Sequence, residues 1–474
     1  MEPALALLNQ LVSKGIKLSI AGDDLTCYAP EGALTKEIRD SIVQNKPAIL
    51  NLLRGYKKLQ FQPQPAASYP RNTAGKSEAL AQAPGLDLAA EAVLDADIQP
   101  PATGDDAVDF TSAKAILLTG ASGFLGAYLL HDLMRETDAS VYCLVRCTSE
   151  SDGGQRIRSN LLRYRLWSDD FAARIVPVPG DLALPLLGLG PEKFGTLGSM
   201  VDTIYHNGAL VNFIYPYSQL KDSNVHGTRE VIRFACRSRR KPLHLISTVA
   251  IFPPTTDPNA KIFESGTLGS WQGLTHGYGQ TKWVAEKVVT IAADRGLPVR
   301  IYRPGFVTGD SSTGIWNTDD FIARMIKGCI QLGSIPDSDL VIDIAPVDYV
   351  SKAIVHLSRQ GELQSNVFHV VNPHLISTRE FGRIVSELGY KLALVSYPAW
   401  RKALLEDART SSKNALYPLL MMFIDTPLPE RMPVFDSHNT LEGLRGTQIA
   451  CPKVDINLIA TYLKYFSSSG FLDT

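Results

Sequence analysis

The sequence predicts an α/β protein built on a doubly wound parallel sheet, with a smaller, mostly helical C-terminal region and a small α+β unit at the N-terminus. Three observations carry that expectation. Short apolar runs alternate with amphipathic stretches from residue 115 onward, a glycine-rich turn follows the first run, and the rhythm becomes irregular and more helical after about residue 305. Alternation of this kind buries parallel strands between two layers of helices.

The elements follow in order. Leu5, Leu8, Leu11 and Val12 recur at helical spacing, with Gly15 as the stop. Lys17–Ile20 and Leu25–Tyr28 read as two short strands around Ala21-Gly-Asp-Asp24, a hairpin signal. A second helical pattern runs from about Leu34 to Leu53, with Pro47 ending or restarting it. Residues 1–58 thus form one compact unit, too small to bury much core without a partner. Residues 59–112 are rich in Pro, Ala, Gln and Gly and read as a flexible tether, in which only 86–95 has helical spacing and could dock on the domain after it.

The buried strands are then Ala115–Leu118, Val141–Val145, Ile175–Val178, Thr203–Tyr205, Leu243–Ile246 and Val299–Tyr302. They place a Rossmann-like domain over 113–305 and a substrate-binding region over 306–474, with Ala345–Tyr349 and Phe368–Val371 expected to return to the sheet within 341–372.

Length and composition agree. The 474 residues suggest roughly two or three domains. Hydrophobic residues at 45% and charged residues at 20% are ordinary for a globular chain. A net charge of -1 offers no attraction for nucleic acid or a membrane surface. No uninterrupted apolar run reaches about 18 residues and no basic-then-apolar leader opens the chain, so the expected location is cytoplasmic. The six cysteines, at 27, 143, 147, 236, 329 and 451, form no C-x-x-C pair and have no histidine at zinc-ligand spacing. They read as reduced thiols, and no metal site is expected.

The glycine-rich turn is Thr119-Gly-Ala-Ser-Gly-Phe-Leu-Gly126, between a strand and a helix. Gly120, Gly123 and Gly126 would give a tight turn, close approach to a pyrophosphate and close helix–strand packing. Thr119, Ser122, Phe124 and Leu125 complete that cofactor loop, and the N–H groups of the helix start face the phosphates. An acid after the second strand would select NAD, but the chain has Arg146 there, with Arg156 after a short loop. Arginine suits a 2′-phosphate, so NADPH is the expected cofactor. Asp181 and Leu182 after the third strand should lie near the adenine. Asn207, Gly208 and Ala209 after the fourth, and Pro304 after the last, should line the nicotinamide side.

Tyr278 and Lys282 stand four residues apart, on one face of a helix. The ammonium should lower the phenol's pKa and can also reach the nicotinamide ribose. Ser247-Thr248 ends an intervening strand, and adjacent strand residues face opposite ways. Thr248 is taken as the donor to a developing oxyanion, with Ser247 as its competitor. His206 and His244 read as core residues, and His276 as a residue near Tyr278 that can touch substrate.

Together these motifs resemble the thioester reductase domains of non-ribosomal peptide synthetases, in the extended short-chain dehydrogenase/reductase superfamily. The likeness rests on Leu88–Asp95, Leu118–Gly126, His206–Asn212, Tyr278–Trp283, Arg303–Gly305, Ala345–Tyr349 and Ser469–Leu472, over roughly four-fifths of the chain. It implies a Thr248–Tyr278–Lys282 triad working with NADPH on a carrier-bound thioester. Leu18–Tyr28 and Lys46–Leu50 resemble tubulysin-type docking domains, which bind a C-terminal motif of an upstream synthetase subunit along the hairpin. No carrier motif stands between about 61 and 112, so the phosphopantetheine-bound substrate is expected on another protein. Three other readings share parts of the pattern: an NAD-dependent sugar-nucleotide epimerase or dehydratase, a relative that releases product by cyclisation, and a non-catalytic docking adaptor.

Overall fold

A computed structural model describes residues 17–21, 24–28, 34–47, 86–101, 112–257, 259–264, 268–361, 363, 365–410, 413–424 and 431–472. The helix expected near Leu5–Val12, most of the tether and the end of the helix expected over 34–53 lie outside these residues.

In the N-terminal unit β1 (Lys17–Ala21) pairs antiparallel with β2 (Asp24–Tyr28). Helix α1 (Lys36–Gln44) opens on Thr35, whose side chain accepts the Ile38 N–H.

The stretch 86–95, whose helical spacing marks it as able to dock on the domain after it, is docked, and the packing continues to Ile98. Asp87 caps a single turn, α2 (Leu88–Glu91), and Leu88, Leu94 and Ile98 are buried in the core below the sheet. Each such burial contributes about 1.5–3 kcal/mol, enough to hold a helix too short to persist alone. Arg295 closes the segment by donating to the carbonyls of Leu94, Asp95 and Ile98.

The main domain then alternates strand and helix: β3 (Ala115–Thr119), α3 (Phe124–Glu136), β4 (Ser140–Val145), α4 (Glu150–Arg163), β5 (Ile175–Pro179), α5 (Gly190–Met200) and β6 (Thr203–His206). Helix α6 (Tyr217–Lys221) passes through a π turn, Asp222–His226, into α7 (Gly227–Ala235). There follow β7 (Leu243–Ile246), the two-residue β8 (Lys261–Ile262), α8 (Gly277–Asp294) and β9 (Val299–Tyr302).

The C-terminal region comprises β10 (Phe306–Thr308), α9 (Phe321–Leu332), β11 (Ser334–Pro336), β12 (Val341–Ile342), β13 (Ile344–Pro346), α10 (Val347–Ser358), β14 (Val367–Phe368), β15 (Ile376–Ser377), α11 (Thr378–Glu387), β16 (Ala393–Val395), α12 (Tyr397–Thr410), β17 (Val434–Phe435), α13 (His438–Gly443) and α14 (Ile456–Ser468).

Seven strands form one sheet in the order β14-β9-β7-β6-β3-β4-β5, all parallel. Two apolar clusters pack on its faces, and a third, around Trp316, Trp400, Tyr462 and Phe466, is the core of the C-terminal region. Of the two expected returns, Phe368 joins the sheet through β14 beside β9. The Ala345–Tyr349 run does not: β13 pairs with β10 in a separate two-stranded ladder. Pro346 ends that strand because it has no N–H to donate, and Val347–Tyr349 open α10. No described helix is long and apolar enough to cross a membrane.

Candidate active site

The sheet winds in two directions from β3: through β4 and β5 on one side, through β6, β7, β9 and β14 on the other. In such sheets the crevice at the carboxyl ends of the strands, where the order reverses, holds ligand. Here it opens into a cavity of about 780 Å³, which the C-terminal region completes through β10, α9 and the loops around Asp343, Asn372 and Met432.

The glycine turn forms one wall. Gly120 has φ +75, and a Cβ on it would fall 2.8 Å from the Gly208 backbone. A Cβ on Gly126 would meet the Gly120 carbonyl at 1.9 Å, so only glycine lets α3 start this close to β3. Gly123 is the N-cap of α3 and supplies no side-chain acceptor, which leaves the first N–H groups of the helix for a ligand. Asn160 of α4 braces the turn by donating to the carbonyls of Ala121 and Gly123. These features fit a dinucleotide pyrophosphate: the backbone is bare of side chains where the phosphates would lie, and it presents unpaired donors.

Most of the sequence-selected cofactor residues line this cavity: Gly120, Ser122, Gly123, Phe124, Leu125, Gly126, Arg146, Asp181, Leu182, Asn207, Gly208, Ala209, Lys282 and Pro304. Two do not. Thr119 is fully buried beneath the turn, where its hydroxyl accepts the Gly208 N–H at 2.8 Å and bonds His206 Nδ1 at 2.9 Å. It sets the spacing of β3 and β6 instead of facing the cavity. Arg156 is held by Asp152, one helical turn earlier, and donates to the Arg146 carbonyl. Its guanidinium thus bridges Asp152 and the backbone of the cavity-lining Arg146.

Thr248, Tyr278 and Lys282 line the same cavity. The Thr248 Oγ1 accepts the Ala250 N–H at 3.1 Å, which caps a short turn and leaves the hydroxyl proton for another acceptor. Lys282 Nζ donates to the Ile246 carbonyl at 2.8 Å. Burial pulls its ammonium down to about 8, against the opposing pull of Glu286. The expected lowering of the Tyr278 phenol is reversed: burial pushes it above its ordinary value. His276 begins α8 as its N-cap, with Nδ1 accepting the Gly279 N–H, and burial lowers it to about 4. It is therefore a neutral wall residue, stacked near Tyr278 with Phe213 against both rings.

Ser247 and Thr248 have different surroundings. Ser247 donates to Glu286 Oε2 at 2.6 Å, and Glu286 pairs with Arg303, both almost fully buried. Arg303 also bonds His369 Nε2 at 3.1 Å and lies over the Phe252 ring. This network was not foreseen, although Glu286 stands four residues after Lys282, as Lys282 does after Tyr278, on one helix face. It anchors the end of β9 to α8, and the Pro304 carbonyl accepts the Val249 N–H at 3.0 Å. The π turn in turn places Asn224 to bond Leu210 and Thr281, tying the loop after β6 to α8. His206 and His244 are core residues, each pulled down to about 3 by burial.

Comparison with known proteins agrees with this arrangement. The NAD-binding family described as "Male sterility protein" matches residues 118–354, and the "TubC N-terminal docking domain" matches residues 6–55. A linear gramicidin synthase subunit of Brevibacillus parabrevis is 42% identical over 77% of this chain, which spans 7% of that relative. The L-2-aminoadipate reductase large subunit of Eremothecium gossypii is 36% identical over 77% of this chain, which spans 28% of it. The crystal structure of the terminal R domain from the myxalamid PKS-NRPS biosynthetic pathway superposes with a TM-score of 0.76 at 47% identity, covering 81% of this chain and 98% of that one. The chain therefore belongs to the "Male sterility protein" family of NAD-binding reductase domains, within the branch that supplies the terminal reductases of non-ribosomal peptide synthetases, and carries a TubC-type docking domain at its N-terminus.

Proposed function

We propose that the chain is an NADPH-dependent thioester reductase that releases an acyl or peptidyl group from a carrier protein as the aldehyde, with a second reduction giving the alcohol. The observation that carries this reading is the meeting of Thr248, Tyr278 and Lys282 with the glycine cradle across one cavity. The turn from Gly120 to Gly126 would hold the pyrophosphate, Arg146 the 2′-phosphate, and Asp181 and Leu182 the adenine. Asn207, Gly208, Ala209, Pro304 and Lys282 would hold the nicotinamide riboside.

When bound, the cofactor supplies the hydride for the thioester carbonyl carbon. The protein's part is electrostatic and acid–base. Thr248 and Tyr278 donate to the carbonyl oxygen as negative charge builds there, a contribution of about 10²–10³ in rate for each well-placed donor. Tyr278 then gives up its proton to that oxygen. Lys282 stabilises the resulting phenolate, reversing in the reacting complex the upward push that burial exerts on the phenol. The carbon–sulfur bond of the hemithioacetal then breaks, its hydroxyl proton passing to the departing sulfur, which leaves the aldehyde and the carrier thiol, and Tyr278 regains its proton from solvent.

The docking domain, residues 1–58, would hold the C-terminal motif of an upstream synthetase subunit and raise the effective concentration of the carrier's phosphopantetheine thioester, so that the reductase acts in trans. The test is NADPH consumption with an acyl-pantetheine thioester, with NADH as the control and the aldehyde trapped as a hydrazone. Selective NADPH use with aldehyde supports the reading. Failure with both the small thioester and a loaded carrier refutes it.

A further inference from the structure

We propose that the arm of the cavity leading away from Tyr278 selects thioesters with an uncharged, apolar acyl chain and discriminates against chains that end in a carboxylate. The inference rests on the thioester reductase reading and specifies its substrate class.

The arm is continuous with the catalytic residues through aromatic contacts. Phe213 lies edge-on to Tyr278 at 5.5 Å and touches Phe321 at 6.1 Å, and Phe321 stacks on Phe306 at 5.9 Å. Val341, Leu375 and Val434 also line the cavity, and with Phe306 they are between 38% and 43% exposed. Isolated exposed apolar residues are ordinary, but four lining one cavity that ends at a reaction centre are the expected mark of a surface covered by ligand.

Charge points the same way. Among the described residues, the only Lys or Arg side chains lining the cavity are Arg146 and Lys282, both at the cofactor end. The arm instead holds two acids without a basic partner on its wall, Asp320 and Asp343. Asp320 accepts the Ala323 N–H and the Trp316 indole N–H. Asp343 accepts the Asn372 N–H at 2.8 Å, and its Oδ2, buried against Gly305, has no hydrogen-bond donor among the described residues. Burial holds both carboxyl groups up, to about 7. A carboxylate entering this arm would lose its hydration and find no lysine or arginine on the wall to compensate it. An alkyl chain would meet rings and branched side chains.

The probes are octanoyl, butanoyl and suberoyl amides of aminopantetheine, in which nitrogen replaces the thioester sulfur and prevents reduction. Their affinities for the full chain are measured by calorimetry in the presence of NADP⁺. The octanoyl amide is expected to bind at least about tenfold tighter than the butanoyl and suberoyl amides, since each added methylene favours burial and the carboxylate opposes it. Leu375→Arg, at an exposed lining position, should narrow the octanoyl–suberoyl gap. Equal or tighter binding of the suberoyl amide, or no binding of any amide, overturns the proposal. Turnover of octanoyl-pantetheine, measured in parallel, judges the reductase reading separately. Chain selectivity without turnover of either octanoyl-pantetheine or the octanoyl-loaded carrier would sink that reading, and turnover without chain selectivity would sink this one.

Discussion

Ser247 and Thr248 are adjacent, yet the structure assigns them separable consequences. Ser247 donates to Glu286 at 2.6 Å inside a buried ion pair with Arg303. Ser247→Ala removes one charge-assisted hydrogen bond, worth about 1.5–3 kcal/mol. For a domain of this size that is a fall in Tm of about 3–10 °C. Turnover should stay within about threefold, because Glu286 retains Arg303 and the Thr248 hydroxyl is untouched. Thr248→Ala removes a cap to the Ala250 N–H, about 1 kcal/mol, so Tm should fall by only about 2–4 °C. It also removes an oxyanion donor, and kcat should fall by about 10²–10³. Differential scanning fluorimetry and single-turnover kinetics on the two variants measure both quantities. The crossed result, hundredfold lost activity in Ser247→Ala with near-normal turnover in Thr248→Ala, would refute the assignment.

The same geometry yields three further predictions. Gly126→Ala forces a Cβ to within 1.9 Å of the Gly120 carbonyl and should abolish NADPH binding, read by quenching or transfer of protein fluorescence on titration. Retained affinity would place the pyrophosphate elsewhere. The buried Lys282 ammonium, lowered to about 8, loses its charge as pH rises through that value, so kcat/KM should decline on the alkaline side of about 8 and the decline should move upward in Lys282→Arg, however slow that variant is. The same shift means that the native state binds fewer protons than the unfolded chain between about pH 8 and 10, so this group adds stability as pH rises through that window. Deleting residues 1–58 should spare reduction of a small pantetheine thioester and weaken use of the carrier-bound one. Equal losses on both substrates would remove the docking role.

What was legible in the sequence was mostly local. β4, β7 and β9 could be read because strands buried on both faces are short apolar runs, and the glycine turn because Gly120 takes a positive φ and Gly126 answers a steric demand from Gly120, six residues earlier. Tyr278 and Lys282 were visible through helical spacing. The hidden features depend on distant partners. Arg303 stood out only as part of the Arg303–Gly305 motif, but its side chain is claimed by Glu286 of α8 and by His369, just after β14. Asp343 matters because it lies over Gly305, a contact that spacing does not announce. The pairing of Arg156 with Asp152 one turn earlier was a local feature, passed over in favour of a phosphate partner. The phenol of Tyr278 was expected to follow its lysine, and burial outweighs that influence. The docking of 86–95 was announced by its helical spacing, but the extension of the packing to Ile98 was not, because its anchors, Arg233 and Arg295, lie more than a hundred residues later.

Reductive release itself is tested most directly by following the hydride. The full chain is given an acyl-pantetheine thioester and NADPH deuterated at the transferable position, and the released product is analysed by mass spectrometry together with the free thiol. The expected product is an aldehyde carrying one deuterium at the former carbonyl carbon, with one thiol released for each NADPH oxidised, or, after the second reduction, an alcohol carrying two deuteriums with one thiol for every two NADPH. Product without deuterium, or thiol released without NADPH oxidation, would contradict reductive release.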